Sequence, residues 1–191
     1  MFDLKNNQKL LSLIILGSIP LIVVGYALYT SEIIYMLRDI KIIAWSTLIF
    51  GIILFFADRS RFDKKISANL NFKTILIIGL FQILALIPGV SRAGITITTA
   101  RFLRFNRFDS SKISFLLSIP ALTGASILSF KDIVIQSIEF SYLVFFAITF
   151  SFLFSYFTVK FFLDYINKFS LNLFVAYRIL IASILFLIIY N

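Results

Sequence analysis

The residues most suited to chemistry lie together in the middle of the chain, in segment 86–96, which reads LIPGVSRAGIT. Ser91 and Thr96 supply hydroxyl groups, and Arg92 supplies a guanidinium group. No charged residue occurs in 74–90 or in 93–100. An arginine with that much apolar sequence on both sides is costly to place in hydrocarbon unless it is paired. Arg92 is therefore a candidate functional residue.

The spacing around Arg92 suits an anionic ligand. Ser91 is well placed to cap the helix that follows, which leaves backbone N–H groups of the first turn free. A helix N-terminus binds phosphate readily, and a guanidinium adds a forked donor for phosphate oxygens. Thr96 lies four residues beyond Arg92 and shares its helical face. We therefore expect a phosphate ester as the ligand. The further candidate phosphate-binding residues are Gly89, Val90, Gly94 and Thr99.

A purely structural role is the alternative for this segment. In that case it is a hairpin whose Arg92 donates hydrogen bonds to backbone carbonyls and binds no ligand. A second arginine, Arg178, lies about 10 Å into the last apolar segment at 1.5 Å per residue. It either extends to the membrane interface or lines a cavity, and the sequence leaves both options open.

The composition predicts an all-α integral membrane protein. Of the 191 residues, 60% are hydrophobic and only 14% are charged, well below the proportion typical of soluble domains. The 24 phenylalanines add more apolar surface than a soluble chain of this length can bury. The absence of cysteine excludes disulfides and thiolate metal sites, and the absence of histidine removes the commonest general base.

The apolar segments predict a single membrane domain over residues 1–191. Apolar sequence between 74 and 105 divides into two helices too short to cross alone, and Pro88 and Gly89 are expected to break the helix between them. Irregular backbone at that depth must be buried by protein or line a watery cavity, so we expect a cavity at the tip of this re-entrant pair. The predicted spanning helices are 10–29, 40–57, 113–130, 142–162 and 171–190.

The distribution of positive charge favours the re-entrant arrangement. It places thirteen loop lysines and arginines on the side of the N-terminus and three (Arg38, Lys41 and Lys131) on the other. If residues 74–90 crossed completely, the division would be eight to nine. Positive residues concentrate in cytoplasmic loops. We therefore expect a cytoplasmic N-terminus and a C-terminus on the outer side.

The central segment closely resembles the P-G-x-S-R-S-G signature of the bacitracin-resistance type undecaprenyl-diphosphatases. The resemblance begins at Gly79 and Gln82 and continues through residues 88–96. A second region is similar to the family's F-S-F-L-L-x-I-P helix. The matches outside the central segment lie at residues 114–125, 16–25 and 177–178. The resemblance therefore covers essentially the whole chain.

This resemblance implies a multi-pass enzyme of the bacterial cytoplasmic membrane. The implied reaction is hydrolysis of undecaprenyl diphosphate to undecaprenyl phosphate and inorganic phosphate, which recycles the lipid carrier for cell-wall synthesis. By position, Ser91, Arg92 and Thr96 are the implied catalytic residues that contact the diphosphate, and Arg92 stabilises charge on the transferred phosphoryl group. A divalent cation, magnesium or calcium, is also implied, with ligands that this chain does not identify.

Two departures from the family pattern bear on this expectation. The family's N-terminal signature, which supplies glutamates, serines and a histidine, has no match in the sequence, and Ala93 replaces a serine of the central motif. Metal-assisted hydrolysis normally needs carboxylates, and none lies inside a predicted apolar segment. Four alternatives stay open: a truncated or inactive chain, a second polypeptide, loop acids such as Glu32 and Asp132, or binding without hydrolysis.

The expected partners are a polyprenyl diphosphate lipid and the anionic lipids that a basic cytoplasmic loop attracts. A homodimer is compatible with the sequence, and nucleic-acid binding is not expected from a chain without a soluble domain. The alternative function is a non-hydrolytic carrier or flippase for a polyprenyl phosphate, because broken helices at mid-membrane also occur in transporters. The basic loop contains Arg59, Arg61, Lys64 and Lys65.

Overall fold

The computed structural model describes residues 4–31, 38–62, 64–135 and 142–190, and within these ranges the chain is almost entirely helical. Among the described residues, five helices are long and apolar enough to cross a membrane: α1, α2, α6, α7 and α8. This confirms the predicted all-α architecture. The helices are α1 Leu4–Thr30, α2 Ile40–Asp58, α3 Ile66–Asn69, α4 Phe72–Gln82, α5 Arg92–Phe102, α6 Arg107–Ile135, α7 Tyr142–Lys168 and α8 Asn172–Tyr190.

The observed helices extend beyond the predicted spans. Helix α6 begins at Arg107 rather than at 113, and α7 continues to Lys168 rather than ending at 162. Hydropathy marks only the apolar part of a helix, whereas its hydrogen-bonded backbone continues into the polar residues at either end. The last helix, α8, is the exception, because it begins at Asn172 rather than at 171. How much of each helix crosses the membrane stays a prediction.

Helices α4 and α5 form the predicted re-entrant pair. Helix α4 passes into a short 3₁₀ turn, Ile83–Leu86, and α5 starts at Arg92. The chain segments before and after the hairpin lie side by side, and the amide of Lys64 donates a hydrogen bond of 3.1 Å to the carbonyl of Arg104. The 11 residues of α5 reach about 16 Å at 1.5 Å per residue, roughly half the thickness of the hydrocarbon. A hairpin of this length that enters the membrane from one side would place its tip near mid-depth.

A close glycine contact holds the hairpin against α1. A Cβ atom built on Gly79 would overlap the backbone of Gly17, so the two helices meet at the smallest possible separation. Ile75 is fully buried beside this contact, and Leu117 of α6 closes the other side. Helix α2 packs along α8 on the other side of the hairpin, with Trp45 and Phe186 in edge-to-face contact at 5.0 Å between ring centroids.

A buried carboxylate joins three helices at the end of the bundle where the hairpin begins and ends. Asp58 is 4% exposed and closes α2. Its two oxygens accept from Arg107 at the start of α6, with Nε–Oδ1 at 2.7 Å and Nη2–Oδ2 at 2.9 Å. Oδ2 also accepts from the amide of Leu171, just before α8, at 3.2 Å. One side chain thus ties α2, α6 and α8 together.

A second arginine completes this cluster. Arg101, at the end of α5, is 1% exposed, and its Nε lies 3.9 Å from Asp58 Oδ1. Its terminal nitrogens donate to three carbonyl oxygens, those of Phe105, Asp58 and Ser60, at 2.7, 2.8 and 2.9 Å. We call Asp58, Arg101 and Arg107 the hairpin-base cluster, because it lies where the hairpin begins and ends. Its two guanidinium groups share one carboxylate.

Replacing the shared carboxylate should destabilise the fold strongly. We expect Asp58→Asn to lower the free energy of unfolding by about 3 kcal/mol, because it leaves a buried guanidinium without its counter-ion. Titration of the detergent-solubilised protein with SDS measures this change. Asp39→Asn is the control, since Asp39 caps the other end of α2 at an exposed position and asparagine caps equally well. Equal stability of the two variants would contradict the prediction.

The close contact between Gly79 and Gly17 should be sensitive to the addition of a single methyl group. We expect Gly79→Ala to lower the free energy of unfolding by about 1–3 kcal/mol, because the new methyl group must displace the backbone of α1. Gly124→Ala is the matched control: its methyl group would lie 3.8 Å from Ile22, an ordinary contact, and it gains the same helix propensity. The same SDS titration compares them, and a tolerated Gly79→Ala would show that α1 and α4 do not pack this closely.

Candidate functional site

The tip of the hairpin is an irregular turn at residues 87–91. Gly89 has a φ of 91°, which a glycine adopts at little cost. Ser91 has a φ of 62°, which is unfavourable for a residue with a side chain. Strained backbone at a non-glycine position is often found at functional sites, so this conformation supports Ser91 as a candidate functional residue.

Ser91 caps helix α5, as predicted. Its Oγ accepts a hydrogen bond from the amide of Gly94 at 3.2 Å, and its carbonyl accepts from the amide of Ile95 at 3.0 Å. The amides of Arg92 and Ala93 belong to the first helical turn, where the helix itself provides no acceptor. Ser91 is exposed and the next three residues are partly buried. This N-terminal side of the turn is its open face.

The carbonyl face of the turn is covered by α2. Ser46 Oγ donates to the carbonyl of Pro88 at 2.5 Å, and Thr47 Oγ1 donates to the carbonyl of Gly89 at 3.3 Å. A Cβ atom on Gly89 would collide with the hydroxyl of Ser46 and would lie 2.7 Å from the carbonyl of Ile43. The predicted cavity is therefore not found on this face, because side chains of the protein satisfy the carbonyls there.

Helix α8 covers the rest of the carbonyl face. Arg178 Nη2 donates to the carbonyls of Gly89 at 3.1 Å and Val90 at 2.7 Å. Arg178 is 9% exposed, so it lies against the tip and does not extend to the interface. Arg178 donates to the backbone carbonyls of the turn. This is the structural role that the sequence analysis considered as the alternative for Arg92.

Arg92 has a different environment. Its Nη1 atom is buried and has no hydrogen-bond partner. Within the described residues, no carboxylate lies within salt-bridge distance of its guanidinium group. A buried, charged donor without an acceptor is costly, and binding an anion removes that cost. Arg92 is therefore suited to receive a phosphate oxygen.

The two predicted threonines point away from the open face. Thr96 is 1% exposed, and its hydroxyl lies 2.7 Å from the hydroxyl of Ser114 on α6. Thr99 is 6% exposed, and its hydroxyl donates to the carbonyl of Ile95 at 2.9 Å within its own helix. Both residues follow Arg92 along α5 as the spacing predicts, but they lie on the face that packs in the protein. Their contact with a ligand stays a prediction.

The remaining candidates shape the turn. Val90 is fully buried, and its carbonyl is already bound by Arg178. Gly94 lies between two functional groups, because a Cβ atom there would be 3.4 Å from Ser91 Oγ and 3.6 Å from Arg178 Cζ. The lack of a side chain at Gly94 thus keeps open the space that separates Ser91 from Arg178.

Sequence reasoning missed two residues that support the turn, Ser46 and Thr47, and did not single out a third, Gln82, within the matched motif. Ser46 and Thr47 are two adjacent hydroxyl residues in the otherwise apolar α2, and that interruption is a signal that could have identified them. Gln82 is fully buried with neither amide atom hydrogen-bonded, at the point where α4 becomes a 3₁₀ turn. Its only sequence signal is its place in the matched motif.

The residues at the tip do not fit a divalent cation. Such a cation prefers several oxygen ligands that carry negative charge. The nearby carbonyls are already occupied, and the charged side chains at the tip are both guanidinium groups. Asp58 lies about 18 Å away along α2 at 1.5 Å per residue and is held by Arg107. In 4–31, 38–62, 64–135 and 142–190, no three Asp, Glu, His or Cys residues come together.

Fold and site together define a multi-pass helical membrane protein with a helix hairpin whose tip carries a helix N-terminus and, among the described residues, an arginine without an acid partner. The model of the family described as "Bacitracin resistance protein BacA" matches residues 2–184. The chain belongs to this family.

Curated relatives support the same assignment. A protein of Pelagibacter ubique named undecaprenyl-diphosphatase is 71% identical over 192 residues, which covers 100% of this chain and 75% of the relative. A protein of Elusimicrobium minutum with the same name is 43% identical, covering 94% of this chain and 68% of the relative. A protein of Saccharophagus degradans with the same name is 37% identical, covering 97% of this chain and 70% of the relative.

The contact between Thr96 and Ser114 should be measurable as a coupling. We expect Thr96→Val and Ser114→Ala each to lower the free energy of unfolding by about 1–2 kcal/mol, because each substitution leaves the other residue's buried hydroxyl without this hydrogen-bond partner. The double variant should cost less than the sum by roughly 1 kcal/mol, which a double-mutant cycle of SDS titrations detects. Strict additivity would show that the two hydroxyls do not interact.

Proposed function

We propose that this protein hydrolyses undecaprenyl diphosphate to undecaprenyl phosphate and inorganic phosphate. The observation that carries the proposal is the tip of the hairpin, where Arg92 keeps a buried amino group without a partner beside the free amides of the first turn of α5. An anionic group fits this arrangement. The name of the relative that is 71% identical over the full chain supports a diphosphate as that group.

The residues at the tip would act on the terminal phosphate. Water attacks the terminal phosphorus, the bond to the bridging oxygen breaks, and that oxygen keeps the electron pair as part of undecaprenyl phosphate. Negative charge on the transferred group is stabilised by the guanidinium of Arg92 and by the amides that begin α5. Ser91 holds those amides in place through its cap and offers its exposed hydroxyl to the same phosphate.

The other predicted residues would shape this site. Gly89 permits the left-handed turn, and Gly94 keeps the space beside Ser91 free of a side chain. Val90 anchors the turn through its buried side chain. We propose that Thr96 positions α5 against α6 through Ser114, and that the ligand contact implied by the resemblance requires this hydrogen bond to open.

We propose a bacterial cytoplasmic membrane location with the N-terminus in the cytoplasm. The charged ends of the helices support this orientation, because the hairpin-base cluster and the basic residues of loop 59–65 lie at the same end of the bundle as the start of α8. Positive residues concentrate on the cytoplasmic side. The basic loop would there contact anionic lipid headgroups.

Two further expectations stay predictions. The divalent cation implied by the resemblance would need ligands other than the described residues at the tip. Of the loop acids considered as substitutes, Glu32 and the side chain of Asp132 lie outside the described residues. The homodimer is likewise untested; α7, whose apolar part is not buried against other helices among the described residues, would provide a surface for it.

Loss of the guanidinium at the tip should abolish the reaction. We expect Arg92→Gln to lower the rate of phosphate release from undecaprenyl diphosphate by about 100-fold or more, the effect of removing one donor aimed at developing charge. The assay uses purified protein in detergent. Arg59→Gln is the control, since Arg59 is exposed in the basic loop and stacks on Phe55.

Two results would contradict the proposal. One is an Arg92→Gln variant as active as Arg59→Gln. The other is wild-type protein that binds or translocates the lipid without releasing phosphate, which would favour the carrier or flippase.

A further inference from the structure

Arg178 reaches the tip of the hairpin from a spanning helix and uses only part of its donor capacity there. Its side chain passes over Gly51, where a Cβ atom would lie 3.2 Å from Arg178 Cβ. One terminal nitrogen, Nη2, makes both hydrogen bonds to the turn, at 3.1 Å to Gly89 and 2.7 Å to Val90. The other terminal nitrogen, Nη1, is buried and has no partner. Because a guanidinium carries five N–H donors in a fixed plane, it can bind the turn and a ligand at once.

Among the described residues, the tip carries two positive charges and no negative one. Arginine stays protonated in proteins, so Arg92 and Arg178 are both cations. In the part of the chain that the structure describes, Asp58 forms ion pairs with the buried Arg101 and the partly exposed Arg107, both at the other end of the hairpin. Buried charges without a counter-ion are strongly unfavourable. The tip therefore attracts an anion carrying more than one negative charge.

Gly94 lies between Arg178 and the exposed Ser91. A Cβ atom on Gly94 would lie 3.6 Å from Arg178 Cζ and 3.4 Å from Ser91 Oγ. Gly94 has no side chain, so the guanidinium of Arg178 lies beside the first turn of α5, next to the capping serine. Arg92 belongs to that same turn. Ser91 and the guanidinium of Arg178 thus lie on either side of Gly94, in the helical turn that also carries Arg92.

We propose that Arg178 is a second phosphate-binding residue and determines selectivity for diphosphates. Its Nη1 binds one phosphate group of the ligand while Nη1 of Arg92 binds the other. A monophosphate satisfies only one of the two unpaired nitrogens, whereas a diphosphate satisfies both. This inference deepens the proposed function and rests on it for the identity of the ligand, but it concerns binding and is tested without turnover.

The test compares two small probes on the full chain in detergent: methylenediphosphonate, which cannot be hydrolysed, and inorganic phosphate. Dissociation constants are obtained from ligand-dependent thermal shifts. We expect the wild-type protein to bind the diphosphonate more tightly than phosphate. In Arg178→Gln the preference should fall roughly tenfold or more, the value of one charge-assisted hydrogen bond, with phosphate affinity little changed.

Two variants separate binding from support of the fold. Arg101→Gln removes the other buried arginine that donates to loop carbonyls, so it should lower stability but keep the preference for the diphosphonate. Arg178→Lys keeps the charge but cannot serve the turn and the ligand together, so its preference should also fall. This second variant decides the question if Arg178→Gln does not fold.

The inference is overturned if Arg178→Gln, or Arg178→Lys in its place, keeps the wild-type ratio of the two affinities. It is also overturned if the ratio falls equally in Arg101→Gln. A wild-type protein that releases no phosphate from the lipid but shows the Arg178-dependent preference would overturn the proposed hydrolysis alone. Release of phosphate with an unchanged ratio in the Arg178 variants would overturn the role of Arg178 alone.

Discussion

An irregular turn at mid-membrane depth must find hydrogen-bond donors for its carbonyl groups inside the protein, because hydrocarbon offers none. Three consecutive carbonyls, from Pro88 to Val90, meet this requirement here through donors on two different helices. Ser46 and Thr47 come from α2, and Arg178 comes from α8. Since α2 and α8 also pack along each other, the turn is fixed by a pair of spanning helices and cannot move independently of them.

The same requirement explains the division of the turn into two faces. Its carbonyls point toward α2 and α8 and are fully used, whereas the amides that begin α5 lie on the other side, next to the exposed Ser91. Because the carbonyls of the turn are already hydrogen-bonded and the first amides of α5 are not, the tip has hydrogen-bond donors available but few acceptors. It attracts anions and offers little to cations. The chemistry of the site thus follows from how the protein solves a problem of backbone burial.

Much of this could be predicted from the sequence, because the signals are local. Hydropathy locates each spanning helix, Pro88 and Gly89 locate the break, and Ser91 directly before Arg92 locates the cap. The partners of the turn could not be predicted, because they lie far away in the chain: Ser46 is 42 residues from Pro88, and Arg178 is 88 from Val90. Helical periodicity gave Thr96 the same face as Arg92, but it contains no information on which neighbouring helix covers that face.

The two ends of the hairpin place arginines in opposite electrostatic environments. Near the start and end of the hairpin, Asp58 neutralises Arg107 and lies close to Arg101, so positive charge there stabilises the fold without a ligand. At the tip, Arg92 and Arg178 have no acid partner among the described residues, and Arg178 is held by its hydrogen bonds to the carbonyls of Gly89 and Val90. Donors that are already in position need no reorganisation when an anion binds. The unfavourable free energy of keeping them unpaired is then relieved, which strengthens the binding of the anion. This asymmetry distinguishes arginines that build the protein from arginines available to a phosphate.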